Sequence, residues 1–319
     1  MRGVALSPPG LDAFLDKFEE TLEALVQSEV LFIRLIHQDL VTAGGKRIRP
    51  RLVFLASRAL GGAPFEMELA LAVELLHSAT LLHDDLIDDA ETRRGKEAAF
   101  RKYGNAVSVL SGDFLLSRLL HVIAKTGRME LVERFAQVAK TLSEGEVLQF
   151  QVAALEDYSL ENYERIITAK TAVLMELSTE GPALLKGVDG EVREALARFG
   201  LFYGQAFQMR DDYLDLMGTP EALGKPVGGD VREGKATLIT LLLMERFPEV
   251  REVLRRKGRR EGDLDRLRML AWESGVAEEV ERRIRERALL AAAALKPLPP
   301  SPYKEALEAL ALKEAERLS

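Results

Sequence analysis

Apolar residues recur along this chain at intervals of three and four, which places them on one face of an α-helix. One series begins near the N-terminus and comprises Leu11, Phe14, Leu15, Phe18, Leu22, Leu25 and Val26. A second precedes an acidic segment and comprises Leu69, Ala72, Val73, Leu76, Thr80 and Ile87. Glycine and proline interrupt the pattern at Gly44-Gly45, Gly61 to Pro64, Gly127, Gly187 to Gly190, Gly218 to Pro220 and Gly228-Gly229. Between these breaks lie segments of roughly 15 to 30 residues, and the pattern predicts about ten or more α-helices, a structured loop from Asp230 to Lys235 and no convincing strand.

The composition fits a globular protein with a sizeable core. The chain has 319 residues, a formal net charge of −7 and no cysteine. Because no Pro/Ser-rich linker or tandem repeat divides it, we expect one domain over residues 1–319. The net charge gives no basic footprint for nucleic acid, and the lack of cysteine excludes disulfides, thiolate zinc sites and a cysteine nucleophile. No uninterrupted run of about 18 apolar residues occurs and the N-terminus lacks a secretory signal, so we expect no spanning helix and a cytoplasmic protein.

Two clusters of aspartates follow apolar helical segments. The first lies in LLHDDLIDDAETRRG, residues 81–95, and contains Asp84, Asp85, Asp88 and Asp89. The second lies in GQAFQMRDDYLDLMG, residues 204–218, and contains Asp211, Asp212 and Asp215. Carboxylates one helical turn apart repel one another, and a single such cluster is equally well a solvated helix end. Magnesium prefers oxygen ligands and binds through one or two carboxylates plus substrate phosphates, so two copies predict a Mg²⁺–diphosphate site.

Lysines and arginines form separate groups near these clusters and near glycine-rich turns. GGKRIRPRL, residues 44–52, contains Lys46, Arg47 and Arg49 just before Pro50, which suits the first turn of a helix. The other groups are Arg93-Arg94, Lys170-Thr171, Lys225 and Lys235. Each alone is ordinarily a surface charge, but cations and a glycine-rich loop at a helix N-terminus together predict anion binding. We therefore expect two diphosphates, one held through Mg²⁺ and one held by arginine and lysine alone.

Seven segments, in chain order, resemble the motifs of trans-isoprenyl (polyprenyl) diphosphate synthases: GGKRIRP, HDDLID, RRG, EGEVLQ, AKT, GQAFQMRDDYLD and GKPVGGDVREGK. The first aspartate motif lacks the insertion of bacterial farnesyl diphosphate synthases, and the chain is most similar to long-chain, octaprenyl- or heptaprenyl-type enzymes. The resemblance implies an all-α fold, a single large helical bundle of the isoprenoid synthase type around a central apolar tunnel. It also implies a prenyltransferase with about three Mg²⁺ per active site. Such an enzyme condenses isopentenyl diphosphate with an allylic diphosphate into a linear all-trans polyprenyl diphosphate.

The resemblance assigns roles residue by residue. Metal ligands are expected at Asp84, Asp88 and Asp211, with Asp85, Asp212 and Asp215 nearby. Contacts to the allylic diphosphate are expected from Arg93, Lys170, Thr171, Gln208, Lys225 and Lys235. Contacts to isopentenyl diphosphate are expected from Lys46, Arg49, His77 and Arg94. A histidine on an apolar helix face is more often a core residue, which is the alternative for His77. The other histidines, His37, His83 and His121, are interpreted as structural.

Small residues before the first aspartate motif bear on product length. Ala79 and Thr80 lie about one turn below Asp84, roughly 6 to 8 Å along the helix axis, where an aromatic residue would stop a growing chain. Phe135, about 21 Å along its helix from Gln149, is the candidate floor of the tunnel, with an ordinary core role as the alternative. We expect a product of C30 to C45, with C40 favoured, for quinone side chains. Geranylgeranyl diphosphate, C20, is the alternative product.

Other functions and partners remain open at this stage. His83-Asp84 is an HD pair, as in helical metal phosphohydrolases, but that hypothesis leaves the second aspartate cluster unexplained. A terpene cyclase would not need the Gly44 to Pro50 site, and a non-catalytic subunit of a heteromeric synthase would not need intact motifs. We expect a homodimer through apolar helix faces around Leu110 to Ile123. Since each added unit buries five apolar carbons, peripheral membrane contact for product release is also expected.

Overall fold

The computed structural model describes residues 7–40, 44–87, 91–316 and 318, and these residues are almost entirely helical. The earlier helices are α1 (Leu11–Leu25), α2 (Leu31–Leu40), α3 (Ile48–Ala59), α4 (Glu66–Ile87), α5 (Ala99–Tyr103), α6 (Asn105–Ala124) and α7 (Met129–Leu155). The later ones are α8 (Leu160–Ile167), α9 (Val173–Lys186), α10 (Glu191–Met217), α11 (Pro220–Leu223), α12 (Gly229–Arg232), α13 (Leu238–Arg246), α14 (Glu249–Arg255), α15 (Asp263–Glu273), α16 (Val276–Ala294) and α17 (Pro302–Glu314). A π-helical turn, Thr168–Ala172, joins α8 directly to α9. The predicted all-α class is confirmed.

The predicted breaks coincide with helix ends. Gly61 to Pro64 separates α3 from α4, Gly127 separates α6 from α7, and Gly187 to Gly190 separates α9 from α10. Pro50 lies in the first turn of α3, where its missing N–H leaves no intrahelical bond unmade. The loop expected from Asp230 to Lys235 differs in detail, because the short helix α12 occupies its first residues.

The prediction of no strand is wrong at one point. Thr92–Arg93 (β1) pairs antiparallel with Lys96–Glu97 (β2), and Arg94 and Gly95 form the two-residue turn between them. Both turn residues have positive φ, 53° for Arg94 and 76° for Gly95, as a type I′ hairpin turn requires. Strands of two residues are too short to give an alternating pattern, so hydrophobic periodicity could not reveal them.

The chain divides into two compact units. Unit 1 comprises Met1–Ala139, Leu177–Ala197 and Pro297–Leu307. In this unit α4 packs against α3 and α6, and all its side chains from Leu69 to Leu76 are buried. Gly112 lets α6 approach α4 closely, because a Cβ at that position would lie 2.4 Å from His83 Nε2. The packed helices of unit 1 support the first aspartate motif at the end of α4.

Unit 2 comprises Lys140–Glu176, Arg198–Lys296 and Glu308–Ser319. Its buried core contains Tyr163 from α8, Met209 and Tyr213 from α10, and apolar residues from α13 to α16. The π-turn and α10 lie close together at Gly204, where a Cβ would be 2.7 Å from the Ala172 Cα. Glycine at this position therefore allows the second aspartate motif and the π-turn to be neighbours.

One helix of the described residues is long and apolar enough to cross a membrane. It is α6, and 39% of its most apolar window is buried within the structure. The expectation of no spanning helix relied on uninterrupted apolar runs, whereas a hydropathy average admits a helix with charged residues such as Asp113 and Arg118. Core helices of soluble proteins meet the same criterion, and α6 supplies buried residues such as Leu115 and Leu119 to unit 1.

The close approach at Gly204 leads to a stability prediction. Alanine is the better helix former by about 1 kcal/mol, but overpacking against a backbone atom costs about 1–3 kcal/mol. We therefore expect Gly204→Ala to lower the apparent Tm in a thermal melt. Glu194→Ala, which introduces alanine at an exposed position of α10, is the control and should leave the Tm nearly unchanged. A Gly204→Ala protein as stable as the wild type would contradict the close packing.

Candidate functional site

The first aspartate motif lies at the C-terminal end of α4. Asp84 is half-buried and Asp85 is buried, while Asp88 and Asp89 lie outside the described residues. Arg93 from β1 donates to Asp85, with Nη2 2.5 Å and Nε 3.1 Å from Oδ1. The structure thus pairs Arg93, expected at the allylic diphosphate, with an aspartate expected near the metal.

Arg94 lies beside the glycine-rich loop that precedes α3. Its Nη1 donates to the Leu40 carbonyl, and its Nη2 is 3.9 Å from Glu74 Oε1. Gly45 makes room for the guanidinium, since a Cβ there would lie 3.0 Å from Arg94 Nη2. Burial lowers the pKa of Arg94, and the charge of Glu74 partly offsets that shift. The type I′ turn therefore places the Arg94 guanidinium beside the loop that carries Lys46. Both residues are predicted to bind isopentenyl diphosphate.

Arg47 has a structural role that sequence analysis missed. It is buried, and its Nη1 donates to Glu74 Oε1 at 2.8 Å while its Nε and Nη2 donate to the two carboxylate oxygens of Glu19. Burial lowers the pKa of Arg47, but the bonds and charges of Glu19 and Glu74 outweigh it and the net shift is upward. Its φ of 50° at the start of α3 is unusual for a non-glycine residue, which is a form of strain that clusters at functional sites. Arg47 fixes the loop, whereas Lys46 is exposed.

His77 is half-buried on α4 within the electrostatic reach of four arginines. Burial lowers its pKa well below the usual value, and Arg49, Arg94, Arg93 and Arg47 lower it further. The imidazole is therefore neutral at pH 7, and it can donate or accept a hydrogen bond without adding charge. The structure brings together three of the residues expected to bind isopentenyl diphosphate: Arg49, His77 and Arg94.

The second aspartate motif lies near the C-terminal end of α10. Asp211 is exposed, Asp212 is half-buried and Asp215 is buried. Asp212 accepts two hydrogen bonds, from Gln208 Nε2 to Oδ1 at 2.8 Å and from the Tyr163 hydroxyl to Oδ2 at 2.7 Å. Tyr163 was absent from the sequence-based site, although it lies in the same helical stretch as Lys170.

Asp215 holds the glycine-rich loop that carries the predicted lysines. Its backbone carbonyl accepts from Gly228 N at 2.6 Å, and its Oδ2 accepts from Asp230 N at 2.9 Å. Its other oxygen, Oδ1, is buried and has no hydrogen-bond partner in the part of the chain that the structure describes. Lys225 is exposed, and Lys235 Nζ lies 2.8 Å from Glu233 Oε2.

Several carboxylates of unit 2 lie close enough to repel one another, and nearby lysines and hydrogen-bond donors offset this repulsion only in part. Burial raises the pKa of Asp212 to about 6; hydrogen bonds from Tyr163 and Gln208 oppose this, and repulsion from Asp211 and Asp215 adds to it. Burial also raises the pKa of Asp230 well above its usual value. Asp212 and Asp215 raise it further, against Lys235 and Lys225. A divalent cation is the group that would let all these carboxylates ionise.

The donor set fits Mg²⁺. Carboxylate oxygens are its preferred protein ligands, and Asp215 Oδ1 is a buried one that has no hydrogen-bond partner among the described residues. No three His, Cys, Asp or Glu side chains of the described residues, which exclude Asp88, converge as a preformed metal cluster. Magnesium does not require one, since it binds through one or two carboxylates plus waters and substrate phosphates.

The π-turn contains the AKT segment and contacts two other segments of the family resemblance, EGEVLQ and GQAFQMRDDYLD. Lys170 Nζ donates to Gln149 Oε1 at 2.6 Å and lies 3.1 Å from Glu146 Oε1, both residues of the EGEVLQ segment on α7. Thr171 Oγ1 donates to Gln208 Oε1 at 2.7 Å, which ties the AKT segment to α10. π-Turns occur frequently at functional sites, and no sequence signal predicted this one.

The other predicted residues lie in unit 1. Ala79 and Phe135 are buried and Thr80 is half-buried, which suits a tunnel wall and an ordinary core equally. Among the remaining histidines, His37 is buried against the Phe114 ring at 5.3 Å, and burial lowers its pKa to about 4. His83 Nε2 is 3.2 Å from the Val109 carbonyl of α6.

Known proteins resemble this chain over nearly its whole length. Residues 32–270 match the family described as Polyprenyl synthetase. The chain is 38% identical over 291 residues to octaprenyl diphosphate synthase of Escherichia coli (strain K12), covering 90% of each. It is 37% identical over 308 residues to all-trans-nonaprenyl-diphosphate synthase (geranyl-diphosphate specific) of Rhodobacter capsulatus, covering 95% and 94%. Its structure matches that of polyprenyl synthase from Caulobacter crescentus CB15, complexed with calcium and isoprenyl diphosphate, with a TM-score of 0.90, 39% identity and coverage of 97% and 96%.

The buried pair of Arg47 and Glu74 leads to a prediction about stability. Arg47→Ala leaves the buried Glu74 carboxylate without its closest cation, and breaking such a pair costs about 3–5 kcal/mol. We expect a clear fall in the apparent Tm. Arg51→Ala, a neighbouring arginine whose contact is an exposed one to the Lys46 carbonyl, should change the Tm little. Equal effects of the two substitutions would refute the anchoring role of Arg47.

Proposed function

Since the chain belongs to the polyprenyl synthetase family, we propose that it joins isopentenyl diphosphate to an allylic diphosphate and repeats the step to build a linear all-trans polyprenyl diphosphate. The predicted family is confirmed, and the chain is a trans-prenyltransferase with the all-α isoprenoid synthase fold. The predicted long-chain class is confirmed by octaprenyl and nonaprenyl relatives. The finer proposal is a product of C30 to C45, with C40 favoured, for quinone side chains.

The crowding of carboxylates around Asp212 is the observation that carries this proposal. Asp215 Oδ1 is buried and has no hydrogen-bond partner among the described residues, and burial and neighbouring acids raise the pKa of Asp212 and of Asp230. A divalent cation would favour the ionised form of these acids, and the similar Caulobacter protein is complexed with calcium and isoprenyl diphosphate. We assign Mg²⁺ as the metal, about three ions per site as the family resemblance implies, held by Asp84, Asp88 and Asp211 with Asp85, Asp212 and Asp215 nearby.

A bound divalent cation stabilises the diphosphate that leaves the allylic substrate. The chain's own cations hold that diphosphate: Arg93, Lys170, Lys225 and Lys235, assisted by Thr171 and Gln208. Lys170 pairs with Glu146 and Arg93 pairs with Asp85, so in this proposal a bound diphosphate would compete with these carboxylates for the two cations. Fixed positive groups at the leaving diphosphate stabilise charge where it develops during ionisation.

The second substrate is bound without metal in this proposal. Lys46, Arg49 and Arg94 supply the charge and neutral His77 supplies a hydrogen bond to isopentenyl diphosphate. The four arginines that lower the pKa of His77 make this part of unit 1 favourable for an anion. Orienting the double bond of this substrate towards the allylic carbon is the main task of these residues.

The reaction forms a carbon–carbon bond and breaks an allylic carbon–oxygen bond and a carbon–hydrogen bond. The allylic carbon–oxygen bond ionises, the double bond of isopentenyl diphosphate attacks the cation, and a proton leaves the new tertiary cation. No side chain assigned here is an evident general base, and the resemblance to the family implies that the departing diphosphate accepts the proton. Each cycle adds five carbons, worth about 4 kcal/mol of burial, and long products should therefore leave slowly.

We further propose a cytoplasmic homodimer that touches membranes peripherally to release product. The apolar face of α6 supports the dimer, since Leu110 is 63% exposed and Leu120 is 59% exposed in the single chain. A surface of this kind ordinarily binds a protein partner or a membrane. The single-domain prediction for residues 1–319 is also retained as a proposal.

One assay tests the function. Purified protein, Mg²⁺, isopentenyl diphosphate and an allylic diphosphate are incubated, and the products are separated by chain length. Linear elongation with release of diphosphate is the expected result. Inactivity of the protein alone would favour a non-catalytic subunit, and cyclised or merely hydrolysed substrate would overturn the proposal.

The aspartate motifs lead to a prediction about turnover. Asp84→Ala and Asp211→Ala each remove a proposed metal ligand, so we expect turnover to fall by several orders of magnitude while the Tm changes little. Asp265→Ala, which removes an exposed carboxylate paired with Arg268, serves as the control and should keep normal turnover. Near-normal turnover of either motif variant at saturating Mg²⁺ would contradict the assignment of Asp84 and Asp211 as metal ligands.

Product length gives a separate prediction. If Ala79 lines the tunnel and Phe135 closes it, Ala79→Tyr should shorten the product to C15 or C20 and Phe135→Ala should lengthen it. Product length is read by chromatography of the dephosphorylated alcohols. A wild-type product of C20 or less, or an Ala79→Tyr enzyme with unchanged product, would refute the tunnel assignment. The assignment as a prenyl-elongating enzyme would survive either result.

A further inference from the structure

Tyr163 is a buried tyrosine whose hydroxyl meets a carboxylate of the second aspartate motif. The residue is only 7% exposed, and its ring lies in the apolar core of unit 2. A buried tyrosine hydroxyl ordinarily requires a hydrogen-bond partner. Here that partner is Asp212 Oδ2, at 2.7 Å. The core of the unit is thus connected directly to a residue of the proposed metal site.

We propose that Tyr163 is a positioning residue that fixes the Asp212 carboxylate for divalent-metal binding. This inference rests on the proposed function, because it assigns a role towards the metal of that reaction. Asp212 is held at both oxygens, by the Tyr163 hydroxyl at Oδ2 and by the Gln208 amide at Oδ1. Two donors on two oxygens leave the carboxylate one orientation, whereas a single donor would leave it free to turn.

Gln208 is itself held, so the arrangement is a closed clamp. Its Oε1 accepts from Thr171 Oγ1 at 2.7 Å, which fixes which end of the amide faces Asp212. Tyr163 and Thr171 come from one continuous helical segment, and both of their contacts lie on α10 one turn apart. The clamp therefore fastens α10 to that segment at two points.

The π-turn begins between the two hydroxyl residues of the clamp and includes Thr171. Tyr163 and Thr171 are eight residues apart, and in a regular α-helix this spacing leaves them about 80° apart around the axis. The π-turn Thr168–Ala172 changes that angle because its wider turn takes up an extra residue. It thereby lets both hydroxyls reach the same helix, and it also presents Lys170.

The test is metal binding by Tyr163→Phe, which removes the hydroxyl and keeps the ring. Binding of Mn²⁺ to the full chain is measured by electron paramagnetic resonance in the presence of inorganic diphosphate. We expect about 10- to 100-fold weaker binding, the usual effect of removing a group that orients a metal ligand. Tyr213→Phe is the matched control. Tyr213 is 2% exposed, adjoins Asp212 in sequence and donates instead to Glu281 Oε1 at 2.8 Å. Tyr213→Phe should bind Mn²⁺ within about twofold of the wild type.

A double-mutant cycle shows whether Tyr163 acts through Asp212. In an Asp212→Asn background, Tyr163→Phe should weaken Mn²⁺ binding no further, because the carboxylate it positions is gone. Undiminished Mn²⁺ affinity in Tyr163→Phe, equal losses in Tyr213→Phe, or the full loss in the Asp212→Asn background would each overturn the inference. If the wild type itself binds no Mn²⁺ with diphosphate, the proposed function fails as well. If the wild type binds Mn²⁺ and Tyr163→Phe binds it equally well, only the role of Tyr163 is refuted and the proposed function stands.

Discussion

Repulsion among partly buried carboxylates is the constraint on which the rest of this site depends. Burial raises the pKa of Asp212 and of Asp230; Asp211 and Asp215 raise that of Asp212 further, and Asp212 and Asp215 raise that of Asp230 further. For stability alone, apolar residues at these positions, or a cation paired with each acid, would be more favourable. This chain instead supplies neutral donors: the Tyr163 hydroxyl, the Gln208 amide and the Asp230 backbone N–H. Neutral donors orient carboxylates without cancelling their charge, so the affinity for a divalent cation is preserved.

Unit 1 carries the opposite imbalance around His77. Arg49, Arg93, Arg94 and Arg47 all lower its pKa, so the imidazole adds no charge to an already cationic group. Glu74 restrains this group by pairing with Arg47, and it lies 3.9 Å from Arg94. The buried Arg47–Glu74 pair is best understood as the support that keeps the loop before α3 in place. The proposal that Arg49 and Arg94 bind a diphosphate is consistent with this cationic surrounding of His77.

Sequence could predict those parts of the molecule that depend on local pattern. The helices followed from apolar spacing and their ends from glycine and proline, while the acids and cations assigned to the site by motif resemblance remain a proposal. Parts that depend on long-range partners were missed. From the sequence, Arg47 is one more cation, because its pairing with Glu19 and Glu74 depends on the fold. Likewise Tyr163 is predicted as a core residue, because its hydrogen bond to Asp212 depends on the packing of α10. The β1–β2 hairpin and the π-turn are too short to leave a period in the sequence, yet they orient Arg93, Arg94, Lys170 and Thr171.

The most direct test of this account is a calorimetric titration of the full chain with Mg²⁺, with and without inorganic diphosphate, corrected for the metal that diphosphate binds in buffer. The account predicts weak binding of Mg²⁺ alone, because no three acidic or histidine side chains of the described residues form a ready-made cluster. It predicts binding at least about tenfold tighter with diphosphate, because phosphate oxygens complete the coordination of the ion. The same Mg²⁺ affinity with and without diphosphate would contradict it.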